Sequence, residues 1–286
     1  MLTAMSVTSQ RTSVPLLELS IINADSAPIQ IRDVQGLGPV KAAVNTAQFG
    51  SIDGELYNGS SIGNRNIVLT FGLNPNWAGA QTMSSLRALL YEYFMTKVWT
   101  RLTFVSDHMP DVQIDGYVES FEPNMFSKDP EIQVSILCPK PNFVAVTPTT
   151  LSGAVVITEA FTVIAYEGTM PTGFVLTLNA TVPYSGGVRV YSEAEGSYEV
   201  IDANTPATIT ATRAYVLSTK SGDKYIRLMT GSTIDNDMLA SATSEMGWPK
   251  LHPGDNDFMV AASPDPGYSA PDSPWYMTYT AEYGGL

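Results

Sequence analysis

Between residues 173 and 283 the chain repeats one pattern, a short run rich in β-branched and aromatic side chains followed by a turn. The runs are GFVLTLNATV (173–182), GVRVYSE (187–193), GSYEVID (196–202), ATITATRAYVL (207–217), DKYIRLMT (223–230), DFMVAAS (257–263) and PWYMTYTAEY (274–283). Runs this short and this evenly spaced, with no helical stripe among them, fit a β-sandwich or jelly roll. The same rhythm occurs earlier in IQIRDV (29–34), RNIVLTF (65–71), TRLTFV (100–105), DVQIDGYVESF (111–121) and EIQVSILC (131–138). In the last two, Val112, Ile114, Gly116 and Val118, then Ile132, Val134, Ile136 and Cys138, occupy every second position. Each strand therefore has one buried and one wet face.

One stretch breaks the rhythm. In TMSSLRALLYEYFMTKV (82–98), Leu86, Leu89, Leu90, Tyr93 and Phe94 recur at i, i+3, i+4, i+7 and i+8. That spacing predicts a single amphipathic helix laid on a sheet, capped by Thr82 or Ser84. GSIDGELYNGSSIGN (50–64) reads as a glycine- and serine-rich loop long enough to reach a neighbouring molecule. In GLGPV (36–40) the glycines read as a hairpin turn before a strand, since a phosphate loop needs further glycines and a following helix. The prolines of PKPNFVAVTPTT (139–150) end strand pairing and mark a domain boundary, giving domains 1–145 and 146–286. The expected fold is mainly β, with one helix in the first domain and a sandwich in the second.

Charge narrows the function. The chain holds 15 Lys and Arg against 28 Asp and Glu, a net charge of −13, with no basic cluster. Residues 1–145 carry 9 basic and 13 acidic side chains, and residues 146–286 carry 6 and 15. Such a surface repels phosphate backbones, so sequence-specific nucleic-acid binding is not expected. The start, MLTAMSVTSQRTS, lacks the basic and apolar regions of a signal peptide, and AVVITEAFTVIAY (154–166) is interrupted by Glu159 and too short to span a bilayer. Folding in a cytoplasm without membrane insertion is the expectation. Cys138 is the single cysteine, so no internal disulfide is possible.

Candidate chemistry is sparse. The two histidines, His108 and His252, have no partners at zinc-ligand spacing. Cys138 lies in the apolar register of its strand and reads as a buried small hydrophobe. No Gly-x-Ser-x-Gly elbow is present. TIDND (233–237) and GDNDF (254–258) each bracket an asparagine with aspartates, a pattern that could hold calcium but lacks the rest of an EF-hand loop. Turn chemistry explains both, because Asp and Asn side chains bond nearby backbone amides. In WPKLHPGDNDFMV (248–260), Pro253 and Gly254 set a turn, Asp255 and Asn256 satisfy its backbone, and Phe258 and Val260 begin a buried face. His252 then sits at the surface beside the turn. Tyr191, Tyr198, Trp248 and Tyr268 could stack on sugar rings, or could be core and edge packing. A glycoside hydrolase would need two carboxylates about 5–10 Å apart across a cleft, which a sequence cannot place. No catalytic residue, cofactor-binding residue or metal ligand is assigned.

The order of the segments carries a resemblance. A Gly-Leu-Gly turn (36–38), a DG turn (53–54), the strand RNIVL (65–69), the helix carrying LRALLYEYF (86–94), DGYVESFEP (115–123) and CPKPNF (138–143) follow one another. Further on come WPKLHPGDNDF (248–258) and the ending MTYTAEYGGL. This succession resembles the distal tail protein (Dit) family of long-tailed bacteriophages; Pro141-Asn142-Phe143 stands where members often have Asp-Pro and an aromatic. The resemblance implies a ring-forming first domain and a galectin-like or carbohydrate-module-like sandwich as the second. It further implies a homohexameric ring at the virion tail tip, surrounding the DNA channel and assembled in the host cytoplasm. Implied partners are the tail tube protein, a baseplate hub or tail-associated lysin, and a receptor-binding protein. No cofactor and no enzymatic activity are implied. The alternative is a carbohydrate-binding protein whose second domain recognises host cell-envelope sugars.

Overall fold

The computed structural model describes residues 2–10, 17–21, 27–48, 50, 53–75, 82–124, 130–156, 160–179, 184–194, 197–245, 247–264 and 274–286. They form two compact units, one of residues 1–146 with 283–286 and the other of residues 147–282.

The first unit contains β1 (Leu2–Ser9), β2 (Leu17–Ser20), β3 (Ile29–Gln35), β4 (Ala42–Gln48), β5 (Glu55–Ile62), β6 (Arg65–Leu73), helix α1 (Met83–Tyr93), β7 (Trp99–Ser106), β8 (Val112–Pro123), β9 (Glu131–Cys138) and β10 (Phe143–Ala145). Seven of these strands form one sheet in the order β2-β1-β7-β8-β9-β6-β3, and β10 pairs along β8. The alternation seen in the sequence sets the core: Ile67, Leu69 and Phe71 of β6 and Val134, Ile136 and Cys138 of β9 are fully buried. Burying each large apolar side chain contributes about 1.5–3 kcal/mol. Helix α1 adds Leu86, Leu90 and Tyr93 to this core, and the Phe94 ring lies 5.4 Å from that of Phe71.

The helix is shorter than its 82–98 expectation. Thr82 caps it: its hydroxyl accepts from the Ser85 N–H while the Ser85 hydroxyl accepts from the Thr82 N–H. At the other end Lys97 turns left-handed (φ 67°) and donates its N–H to Val118 O at 2.9 Å. Beyond the helix the backbone pairs with β8 instead of continuing the helical turn.

The second unit contains β11 (Thr149–Ala154), β12 (Thr162–Tyr166), β13 (Phe174–Leu178), β14 (Tyr184–Ala194), β15 (Ser197–Ile209), β16 (Arg213–Lys220), β17 (Asp223–Thr230), β18 (Thr233–Asp237), β19 (Ala242–Glu245), β20 (Gly254–Pro264) and β21 (Pro274–Tyr279). They form a six-stranded sheet, β11-β21-β13-β16-β17-β18, and a five-stranded sheet, β12-β20-β14-β15-β19. The two pack face to face: Phe258 of the smaller sheet meets Phe174 at 5.5 Å and Trp275 at 5.2 Å from the larger, both edge-on. Edge-to-face packing suits the ring quadrupoles and seals the sandwich.

Four local expectations change. The 50–64 stretch is not only a loop, because β5 lies within it and pairs with β4. The 139–150 stretch does not end pairing, since it supplies β10 and the start of β11. The 207–217 run is two strands joined at Thr210, whose hydroxyl accepts from the Arg213 N–H at 3.1 Å. The glycines at 36–38 do not close a hairpin, because β3 pairs with β6 and β4 with β5. A last strand, β22 (Glu282–Tyr283), pairs with β10, so the chain's final residues complete the first unit.

Candidate assembly surface

The hairpin of β4 and β5 forms a sheet of its own. Its register runs from Ala42 opposite Ile62 to Gln48 opposite Glu55, with a bulge at Asn45/Thr46. That register puts Val44, Tyr57 and Ile62 on one face, where the Tyr57 hydroxyl donates to Ser60 Oγ at 2.8 Å. These three side chains are 58%, 61% and 47% exposed, and Leu56 on the opposite face is 56% exposed. An isolated two-stranded hairpin is at best marginally stable in water. Apolar side chains exposed on both of its faces make it the candidate surface for contact with another protein.

The base of the hairpin is firmly held. Arg65 opens β6 in the inward register of Ile67, Leu69 and Phe71, and is only 2% exposed. Among the described residues no carboxylate forms an ion pair with it. Its guanidinium donates to four backbone carbonyls: Gly36 O (2.5 Å), Gly38 O (2.6 Å), Pro141 O (2.6 Å) and Gly284 O (2.6 Å). It also lies 4.4 Å from the centre of the Phe143 ring. The fixed fork of a guanidinium can serve several acceptors at once, which an ammonium cannot. Burial pushes the Arg65 pKa below its usual value, with the neighbouring Cys138 acting in the other direction. Gly36 (φ 85°) is required here, because a Cβ would come within 2.0 Å of Asn66 O. The segment leading into β4, the segment leading into β10 and the chain's last residues thus converge on one side chain. Leu286 extends the contact by donating its N–H to Leu37 O at 2.9 Å.

The residues singled out in the sequence do not assemble into a reactive centre. His108 is exposed after β7 and His252 is partly buried in the second unit, 3.9 Å from Glu199 Oε2. Cys138 is fully buried, and burial pushes its thiol up to about 12, so it is no nucleophile at neutral pH. Residues 233–237 form edge strand β18 rather than a turn, and their carboxylates are engaged. Asp235 accepts from Arg213 at 3.0 Å and Thr230 at 2.6 Å, while Asp237 accepts the Leu239 N–H at 3.1 Å. Residues 254–258 open β20, and the residue that orders the 252–256 corner is Asn256, which is fully buried. Its Oδ1 accepts from His252 N–H at 2.8 Å; its Nδ2 donates to His252 O at 2.8 Å and Gly254 O at 3.0 Å. Asp255 and Asp257, by contrast, are exposed.

Of the four aromatics considered for sugar stacking, Tyr191 is half-buried and donates to the Glu193 carboxylate. Trp248 is half-buried with Lys224 Nζ 5.4 Å from its ring. Tyr268 and the Tyr198 side chain lie outside the described residues. Among the described residues no group of three or more His, Cys, Asp or Glu is placed to hold a metal, and no helix is long and apolar enough to cross a membrane. A hollow of about 480 Å³ lined by β1, β2 and Val105 contains one ionisable side chain, Glu18. Sequence reasoning missed Arg65 and the hairpin face. The signal for Arg65 was available, since a charged residue in the core register of a strand must find buried partners.

Residues 21–138 match the family described as the phage tail protein RIFT-related domain. The fold matches the crystal structure of the Dit protein of phage SPP1, described as a paradigm of the hub adsorption apparatus in phages infecting Gram-positive bacteria. The TM-score is 0.64 at 12% identity, over 97% of this chain and 98% of that one. A chain of the phage P2 baseplate in its activated conformation with Ca aligns over 100% of both chains, with a TM-score of 0.46 at 11% identity. Comparison with curated proteins found no matching sequence. Residues 21–138 therefore match a phage tail domain, and the chain as a whole has the fold of the SPP1 Dit protein.

Proposed function

We propose that the protein is a non-enzymatic ring component of the phage tail tip, assembled in the host cytoplasm as a homohexamer that connects the tail tube to the baseplate hub. The first unit builds the ring around the DNA channel; the second, a galectin-like sandwich, serves as the module for receptor-binding proteins or envelope contact. The observation that carries this reading is the β4–β5 hairpin, with Val44, Tyr57 and Ile62 exposed on one face. A cyclic ring needs one surface that docks on a different surface of the next copy, and an unpaired apolar hairpin meets that need. The net charge of −13 is compatible with a conduit along which DNA slides without adhering. Native mass spectrometry tests the ring. The wild type is expected as a hexamer, alone or with tube protein, and Val44→Asp with Tyr57→Asp as a folded monomer of unchanged melting temperature. A wild type that stays monomeric at high concentration, with and without tube protein, refutes it.

A second reading, recognition of envelope carbohydrate, is favoured by one feature. On the outer face of the six-stranded sheet Ser152, Tyr276 and Thr177 are cross-strand neighbours, and Tyr276 is 48% exposed. An exposed aromatic among hydroxyls suits a sugar ring. Binding to purified host polysaccharide that is lost in Tyr276→Ala supports this reading, and indifference of the wild type removes it.

A further inference from the structure

The five-stranded sheet ends in β12, whose second edge has no strand partner among the described residues. Proteins usually protect such an edge with charge, proline or a bulge. Strand β3 carries Arg32 and Asp33, β2 carries Glu18, and β18 carries Asp235 and Asp237. Strand β12, Thr-Val-Ile-Ala-Tyr, carries none of these protections, and its Val163 is 61% exposed. Just before it, Phe161 is 47% exposed and lies 5.1 Å from the Tyr191 ring.

The register across the outer face is informative. One row runs Val163, Asp257, Glu193, and Ala165 is paired with Asp255 in the next row. Asp257 and Glu193 are thus like charges directly opposite each other, an arrangement that destabilises a sheet. No ion pair joins Asp255, Asp257 or Glu193 to a cation among the described residues. Elsewhere on this face the cross-strand pair is of opposite charge: Arg189 grips Asp202 with two bonds of 2.7 and 3.0 Å. The unbalanced acids stand beside the unprotected edge.

We infer that β12 is a docking edge for an extended segment of another tail protein, which adds as a further strand and brings a lysine or arginine beside Val163. This inference rests on the protein being a tail component. The added strand's main chain pairs with Thr162–Tyr166, the mode in which backbone bonds hold and alternate side chains select. A residue placed opposite Val163 stands two strand spacings from Asp257, about 9.5 Å, which a long basic side chain and an aspartate close between them. The residue two positions away, on the same face, meets Phe161 and is apolar. The partner's signature is an apolar and a basic residue at i and i+2. A second copy of this chain fits less well, because its excess of acid opposes these carboxylates.

Cryo-electron microscopy of the intact tail tip, with hydrogen exchange on the free chain and on tails, tests this. The expected result is a foreign strand along Thr162–Tyr166 with its basic residue over Asp257, and amide exchange there slowed ~100-fold relative to the free chain. A bare edge, or one covered by a second copy or by glycan, overturns the inference while leaving the tail assignment intact; absence of the chain from the tail tip overturns that assignment instead. The variant Asp257→Asn with Glu193→Gln separates docking from folding. Relief of the like-charge pair should raise its melting temperature, while tails built with it should lose the partner at least ~10-fold more readily in a salt wash. A variant that loses stability, or holds the partner undiminished, also counts against the inference.

Discussion

Replacing the buried Arg65 by methionine removes the donor for four partly buried carbonyls while nearly preserving the side chain's apolar stem. A hydrogen bond from a charged group contributes about 1.5–3 kcal/mol net, and each buried acceptor left without a donor costs about 1–3 kcal/mol. The four losses do not add in full, because water enters the space and the buried charge is removed as well. At about 1 kcal/mol per acceptor left without its donor, the low end of that range, we expect about 4 kcal/mol here. For a unit of this size 1 kcal/mol shifts the melting temperature by roughly 2–4 °C, which predicts a fall of about 8–16 °C. Two units need not unfold together, so differential scanning calorimetry should be fitted with two transitions. The transition of residues 1–146 with 283–286 should fall and the other should hold. Arg65→Lys should recover less than half of the loss, since three ammonium donors on a flexible stem cannot satisfy four carbonyls and do not stack flat on Phe143. Deleting residues 284–286 removes one of the four acceptors, so its cost should shrink when Arg65 is already methionine. The reasoning fails if Arg65→Met costs less than about 1 kcal/mol, or if both transitions fall equally.

Asn256→Ala should destabilise the second unit alone, by about 2–4 kcal/mol, because it leaves the His252 N–H and two carbonyls without partners; chemical denaturation monitored by tryptophan fluorescence measures this. Asp255→Ala with Asp257→Ala should leave thermal stability in calcium the same as in chelator, and a calcium-dependent gain confined to the wild type would reveal a metal site. Gly116→Ala should cost at least about 1–3 kcal/mol through overpacking, since its Cβ would stand 2.6 Å from Ile136 and 2.8 Å from Cys138. The Cys138 thiol should resist alkylation until the first unit unfolds. Its pKa is raised on folding to about 12, mainly by burial, so its contribution to stability is complete below the unfolded-state value near 9 and is lost as pH rises from there toward 12. Tyr215, also raised by burial, acts in the same direction, and urea midpoints measured from pH 8 to pH 11 should decline.

The faces of the strands were readable in the sequence because side-chain direction repeats every two residues and depends only on local order. Ile132, Val134, Ile136 and Cys138 were assigned inward from their spacing alone and are buried. The helix was readable for the same reason. Its end was not, since the Lys97 N–H bonds Val118 O, whose position depends on how β8 is placed. The corner at 248–260 was recognised as a corner from Pro253 and Gly254. That Asn256, not Asp255, is the buried clamp follows from the register that turns even-numbered residues of early β20 inward.

What the sequence by itself determined, then, was the local period of each segment and the scarcity of reactive groups; it narrowed the helix cap to Thr82 or Ser84. Tertiary structure alone decided which segments meet. Arg65 bonds Gly284 across 219 residues, the 50–64 stretch becomes half of an unpartnered hairpin, and β12 is left at an edge beside uncompensated carboxylates. The physical reason is that periodicity is a property of neighbours along the chain. Hydrogen-bond pairing and the burial of a charge instead depend on groups brought together only when the whole sheet closes.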